Sequence, residues 1–300
     1  MDRRTLLTLP LALGAAALAA CTPDTAPGPR PPSTPPAPSV APSAARTRRP
    51  KPRHASKGIG MPRFNGFGFD ELDSLDLDWF YNWGPSYPPL RPASSQSAEF
   101  VPMIWGRGSL ERNGIEEVLS ELPWTGAEHL LGFNEPDHEG QADMSVATAI
   151  KLWPQLERAG LRLGSPGAVQ AMGDWLMKFM DQAAAKDLRV DFVTMHSYAP
   201  PHADNFLEYV QRLHDRYDKP IWITEFAVAD WDATTKSPSR FTEKEILAYM
   251  RDTVAGLREM PFVERFAWKT RVHDDPIMGA SALFRSNGSL TPTGELYRSL

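Results

Sequence analysis

From Gly58 onward, short apolar runs of three to seven residues alternate with stretches in which apolar residues recur at three- and four-residue spacing. The short runs signal buried strands and the longer period signals helices packed on one face, so the alternation predicts βα units around a parallel sheet. The first run lies near Gly58-Ile59-Gly60 or Gly66-Phe67-Gly68. The others are Asp78–Trp83, Glu99–Trp105, His129–Phe133, Arg162–Ser165, Asp191–His196, Pro220–Thr224 and Arg265–Trp268. Helices are predicted over Ser145–Ala159, Asp174–Lys186 and Asn205–Tyr217, and Thr242-Glu243-Lys244-Glu245 reads as a capping box opening a helix that runs to Leu257. Eight strands with helices between most of them predict an α/β fold of the closed (β/α)8 TIM-barrel kind rather than an open sheet.

Before Gly58 no such period exists. Arg3 and Arg4 precede the apolar stretch Leu6–Leu13, which is followed by Ala-rich sequence and Leu18-Ala19-Ala20-Cys21. A charged start and a short apolar run read as an export signal, and the run is short for a membrane span. The last four residues match a bacterial lipobox, so residues 1–21 are expected to be a lipoprotein signal peptide with Cys21 the lipidated residue. Cys21 is the one cysteine in the chain, which rules out an internal disulfide. Arg3-Arg4-Thr5-Leu6-Leu7 also resembles a twin-arginine signal, leaving the export route open. Residues 22–57 contain eleven prolines among Ala, Ser, Thr and Arg, and read as a disordered linker able to span about 110 Å. The expected organisation is therefore signal peptide 1–21, linker 22–57 and barrel domain 58–300, anchored outside a bacterial membrane or, alternatively, secreted.

Charge follows the same division. Residues 1–57 hold nine Lys and Arg against two Asp, a balance of +7, which leaves −12 on the remainder of a chain with net charge −5. An acidic folded part argues against nucleic acid as a partner. Arg46, Arg48, Arg49, Lys51 and Arg53 suit contact with anionic lipid or wall polymer, or a solubilising hinge. His spacing matches no metal motif and there is no phosphate-binding glycine loop, so neither metal nor cofactor is expected. Asn287-Gly288-Ser289 fits a glycosylation acceptor, a meaning that a bacterial lipoprotein context disfavours. Nothing calls for more than a monomer.

Two glutamates then stand out at strand ends, where a parallel barrel places its active site. Glu135 follows Gly132-Phe133-Asn134, and Glu225 follows Ile223-Thr224. A carboxyl group directly after buried apolar residues is costly unless it is paired or used. Strands four and seven face each other across a barrel mouth, and glycoside cleavage needs two carboxyl groups flanking the bond, one protonated and one ionised.

Asn-Glu-Pro after strand four, with a second Glu after strand seven, resembles the 4/7 superfamily of glycoside hydrolases. More narrowly, Gly132-Phe133-Asn134-Glu135-Pro136-Asp137, Trp222-Ile223-Thr224-Glu225-Phe226 and Thr291-Pro292-Thr293-Gly294 look like glycoside hydrolase family 128, which contains β-1,3-glucanases and fungal alkali-sensitive-linkage-type proteins. The resemblance covers Gly58 to Leu300. It implies a retaining hydrolase of β-1,3-glucan with Glu135 as acid/base and Glu225 as nucleophile. It also implies that Asn134 binds the sugar 2-hydroxyl, against the alternative of capping its turn, and that His196 and Tyr198 orient the nucleophile, against a core role for His196.

Sugar rings present apolar faces, so aromatic residues at strand ends are candidate platforms: Trp83, Trp105 and Trp268. Trp79, Trp153, Trp175 and Trp222 read as core, while Trp231 lies in the loop after strand seven. After Trp268 an apolar or aromatic continuation is expected, but the chain reads Lys269-Thr270-Arg271. These bases either pair with Asp274 and Asp275 or line the cleft. Two rivals to the β-1,3-glucan reading are a hydrolase of another β-linked glycan and a wall-attached carbohydrate-binding module without turnover.

Overall fold

The structure, a computed structural model, describes residues 55–61, 68–88 and 96–300. The expected signal peptide, its lipidation candidate Cys21 and nearly all of the expected linker lie outside the described residues. Eight strands are present among them: β1 Ser56–Gly60, β2 Trp79–Tyr81, β3 Glu99–Phe100, β4 His129–Leu130, β5 Arg162–Leu163, β6 Val193–Ala199, β7 Ile221–Val228 and β8 Val263–Trp268. Every pairing between them is parallel. Six form one sheet in the order β3-β2-β1-β8-β7-β6 and two form another, β4-β5. Isolated parallel bridges Met103↔Leu131 and Gly164↔Phe192 extend these pairings beyond β3 and β5. The chain thus has an α/β fold with parallel strands.

Helices α1 Phe69–Asp73, α2 Arg107–Glu111, α3 Gly114–Thr125, α4 Val146–Glu157, α5 Asp174–Ala185, α6 Ala203–Tyr217, α7 Glu243–Glu259 and α8 Pro292–Ser299 lie between and after the strands. Ser145 caps α4 through Thr148 N, and the Thr242/Glu245 capping box opens α7 as expected. Helix α3, not predicted from the sequence, carries Pro123 near its end, as the predicted α4 carries Pro154. Helices α1 and α2 are five residues each, too short for a period to register.

Strand alternation sorts the side chains into two apolar clusters. The larger packs strands against helices and includes Trp153, Phe179, Phe226 and Trp268. The smaller comprises Trp79, Tyr81, Val101, Met103, Leu131, Phe192, Trp222 and Ala267. Within it Phe192 stacks on Trp222 with ring centroids 4.0 Å apart, and Trp79 lies against Trp222 at 5.5 Å.

Ser56 and Lys57, the last residues of the expected linker, already belong to β1. Lys57 is buried, its backbone N–H donates to Asp78, and its Nζ donates to the carbonyls of Tyr297 and Arg298 at the end of α8. A lysine in a Pro-rich basic stretch looks like linker, yet here its ammonium satisfies C-terminal helix carbonyls that would otherwise lack partners.

Charged residues near the beginnings of the strands form a second tie. Glu99 accepts from Arg265 (2.7 Å) and lies 2.8 Å from His129 Nδ1, while Arg162 pairs with Glu264 at 2.9 Å. Arg265 also stacks its guanidinium over Trp222, 4.2 Å from the ring centroid. Burial opposes ionisation of Glu99, but the hydrogen bonds and charges of His129 and Arg265 outweigh it and bring its pKa down to about 2. A depressed carboxyl pKa contributes stability that is complete above the unfolded value of 4.5 and is lost as pH falls through about 2. Glu99→Gln is expected to cost about 1–3 kcal/mol at pH 7. In urea melts the gap between variant and wild type should narrow steadily below pH 4.5; a gap unchanged at pH 3 would remove this network from the account of stability.

Candidate active site

Strand β7 carries one residue more than either neighbour at the site. Met195 pairs with Ile223 but His196 pairs with Glu225, and on the other side Ile223 pairs with Phe266 but Phe226 with Trp268. Thr224 is the extra residue. Ile223 and Phe226 both join the helix-facing core, so the irregularity turns Glu225 inward with the face that Trp222 occupies.

Around Glu225 four donors come from β2, β6 and β8 or the residues that directly follow them. Its Oε1 lies 2.9 Å from the Tyr81 hydroxyl and 2.7 Å from Trp83 Nε1. Its Oε2 accepts from the Tyr198 hydroxyl and from Lys269 Nζ at 3.1 Å. The Tyr81 hydroxyl also reaches the Thr224 carbonyl at 3.1 Å, which braces the irregular turn of β7. Burial alone would raise the Glu225 carboxyl. The charges of Lys269 and His196, with the hydrogen bonds from Tyr198 and Trp83, outweigh it and hold the group ionised well below the ordinary carboxylate range. Burial and the neighbouring carboxylate push both tyrosines far above their usual range, so each keeps its proton to donate.

Glu135 is placed from β4 through two backbone anchors: Asn134 N–H donates to Trp105 O (2.9 Å) and Glu135 N–H to Gly167 O (2.7 Å). Asp137, three residues after Asn134, accepts from Val169 N (2.9 Å) and Gln170 N (3.1 Å) and ties this turn to the chain after β5. Between the glutamates stands His196, buried, with Nδ1 2.8 Å from Glu135 Oε1 and Nε2 3.9 Å from Glu225 Oε1. One imidazole is therefore hydrogen-bonded to Glu135 and within ion-pair distance of Glu225, its Nε2 making no hydrogen bond among the described residues. Burial would lower its pKa, but Glu225 and Glu135 outweigh burial and the opposing Lys269, and the value is raised. Gly167 makes room for the ring, since a Cβ there would sit 3.0 Å from Nε2.

A cavity of about 450 Å³ opens against Glu135, His196 and Tyr198, with Gln170 and Trp231 also on its wall. Trp231 is 63% exposed and donates its indole N–H to Tyr198 O, which fixes an aromatic face at the cavity edge. The Asn134 side chain donates to Gln141 Oε1 (3.3 Å) and caps no turn, and its buried amide oxygen has no hydrogen-bond partner among the described residues.

Glu135, Glu225, His196, Tyr198, Asn134 and Trp83 lie together in the structure, with Trp105 half-buried beside Asn134. Trp83 acts here as a hydrogen-bond donor. Trp268 does not belong to this group: it is fully buried against Phe226, donates to Ser281 O, and points away from the site. Its neighbours Ala267 and Lys269 have the opposite facing, so the ammonium occupies the place expected for the indole. Arg271 pairs with Asp275, as one of its two expected alternatives had it. Tyr81 was not singled out in the sequence, although it ends β2 two residues before Trp83 and packs against the same apolar cluster.

The chain belongs to the glycosyl hydrolase catalytic core family, whose model matches residues 66–297. Within that class its relatives bear out the resemblance to glycoside hydrolase family 128. The endo-β-1,3-glucanase of Amycolatopsis mediterranei (family 128, subgroup I), solved in complex with laminaripentaose, is 32% identical with a TM-score of 0.70, over 82% of this chain and 99% of that one. The subgroup II endo-β-1,3-glucanase of Sorangium cellulosum is 30% identical with a TM-score of 0.68, over 82% and 98%. Alkali-sensitive linkage protein 1 of Schizosaccharomyces pombe is 31% identical over 240 residues, 76% of this chain and 41% of that protein. The chain therefore spans well under half the length of that curated relative.

A raised histidine pKa carries its own signature. The stability His196 contributes is complete below its unfolded value of about 6.5 and is lost as pH rises through the higher folded value. The difference in Tm between wild type and His196→Gln should accordingly be larger at pH 6 than at pH 9. A difference that grows with pH would mean that the ring is held neutral.

Proposed function

We propose that this protein is a retaining glycoside hydrolase that cleaves β-1,3-glucan, with its eight strands closed into a (β/α)8 barrel around the site. The observation that carries this reading is the unequal treatment of two carboxyl groups joined through one histidine. Glu225 is surrounded by donors that hold it ionised, which suits a nucleophile, whereas Glu135 lies at the cavity wall, which suits an acid/base that must exchange protons with water. Barrel closure is supported by the bridges Met103↔Leu131 and Gly164↔Phe192, which join β3 to the β4 segment and β5 to β6. The linkage is supported by the solved relatives that act on β-1,3-glucan.

The steps follow from these placements. Glu135 protonates the glycosidic oxygen while a Glu225 oxygen forms a bond to the anomeric carbon and the glycosidic bond breaks. Water then attacks that carbon, Glu135 takes the water's proton, and Glu225 leaves as a carboxylate. Tyr81, Trp83 and Tyr198 orient the nucleophile, and the Asn134 amide oxygen offers an acceptor to a sugar hydroxyl. Trp83, Trp105 and Trp231 supply aromatic surface. Cys21 anchors the domain to the outer face of the membrane.

Proton NMR of the first products from a laminarin oligosaccharide should show the β-anomer, and the α-anomer would mean inversion. Glu135→Gln and Glu225→Gln are each expected to lower kcat about 10²–10⁴-fold while keeping oligosaccharide binding. Binding by the wild type with no turnover on laminarin, curdlan, lichenan, mannan or xylan would make it a binding module. Turnover confined to a polymer without 1,3-links would overturn the substrate. Cys21→Ser should move the protein from the membrane fraction of a bacterial host to the soluble one, and an unchanged distribution would reject the anchor.

A further inference from the structure

A carboxylate has about four lone-pair sites, and in Glu225 four donors face them. Tyr81 and Trp83 lie on Oε1, Tyr198 and Lys269 on Oε2. Under the double-displacement reading, on which this inference rests, an oxygen so occupied has no lone pair free for the anomeric carbon. One donor has to leave before the bond can form.

Three of the four are held in place. Tyr81 is fully buried in β2, with ring neighbours Trp79 and Trp83 at 5.9 and 5.0 Å. Trp83 is pressed over Gly60, where a Cβ would lie 2.7 Å from its ring. Tyr198 belongs to β6, and the Trp231 indole packs edge-on against its ring. Lys269 differs: it follows the end of β8, its four-carbon stem has free rotors, and its side chain is 17% exposed against 5% for Glu225. Its ammonium is also not held by Glu225 alone, since it lies 3.9 Å from the centroid of the Trp83 ring. Charge argues the same way. Positive charge develops on the sugar in the transition state, and an ammonium left at Oε2 would repel it.

We propose that Lys269 is a displaceable counter-ion of Glu225, holding the carboxylate's charge while the cleft is empty and leaving Oε2 when a sugar enters. Freed in this way, the Oε2 lone pair forms the bond to the anomeric carbon as the leaving group departs with its own bonding pair. Lys269 is thus a positioning residue of the nucleophile.

The test isolates the first chemical step with a 2-deoxy-2-fluoro laminaribiosyl fluoride, which loses fluoride as Glu225 is labelled, followed by mass spectrometry of the labelled peptide. Lys269→Met is expected to label about tenfold faster than wild type at neutral pH, since one charge-assisted hydrogen bond no longer has to be broken. The acid limb of its labelling rate should also move to higher pH, because the cation that favours ionised Glu225 is gone. Lys269→Arg, with a planar fork that grips the carboxylate more rigidly, should label more slowly than wild type with the acid limb in place. Labelling of Lys269→Met at or below the wild-type rate, or of Lys269→Arg at or above it, overturns the inference alone. A wild type that carries no label on Glu225 overturns the double-displacement reading and the inference with it.

Discussion

The constraint on which this molecule depends is a carboxylate set among aromatic rings. Glu225 is 4% exposed and its strand neighbours point into packed apolar clusters. An unpaired charge there would cost several kcal/mol, so the surrounding chain has to deliver donors to it from several directions. The extra residue in β7 turns the side chain inward, and the Tyr81 hydroxyl braces that turn at the Thr224 carbonyl. The same hydroxyl lies on the carboxylate, so backbone irregularity and charge compensation share one tyrosine. Removing the ring would loosen both.

Backbone strain is concentrated at the same place. Of seven non-glycine residues with positive φ among the described residues, five are Asp or Asn, whose short side chains tolerate the left-handed region. The other two are Trp83 (φ 57°) and Glu135 (φ 43°). Neither residue type favours that conformation, and each sits where a side chain has to be aimed: the indole N–H at Glu225, the carboxyl at His196. Strain of order 1–3 kcal/mol per residue persists only where the surroundings over-determine it. Gly60 under the Trp83 ring and the Gly167 carbonyl on the Glu135 amide supply that determination. The two glycines matter for the space they leave.

Sequence pattern and structure agree where periodicity is strong and part where facing is decided by one residue. The strand runs, the capped helices α4 and α7 and the two glutamates were legible because apolar period and strand-end position each carry information. Trp268 illustrates the opposite case. It was expected at the cleft because it ends a strand, but successive residues point to opposite faces, and a shift of one exchanges indole for ammonium. Had Trp79, Tyr81 and Trp83 been read as one alternating face, Tyr81 would have joined the site. Lys57 was hidden differently: its partners are backbone carbonyls of α8, 240 residues away, and no local pattern announces them.

The two ends of the strands divide the electrostatic labour. Glu99, His129, Arg162, Glu264 and Arg265 stand near strand beginnings, where each charge is matched by an opposite one and none faces the cavity. Glu225, His196 and Lys269 stand near strand ends, and there two basic side chains crowd a single carboxylate. A matched network resists change; an over-supplied one can give up a member and stay satisfied. Stability is therefore anchored at the end where no reactant arrives. The other end keeps a surplus of donors around Glu225, so that one can be exchanged for a substrate without leaving the charge bare.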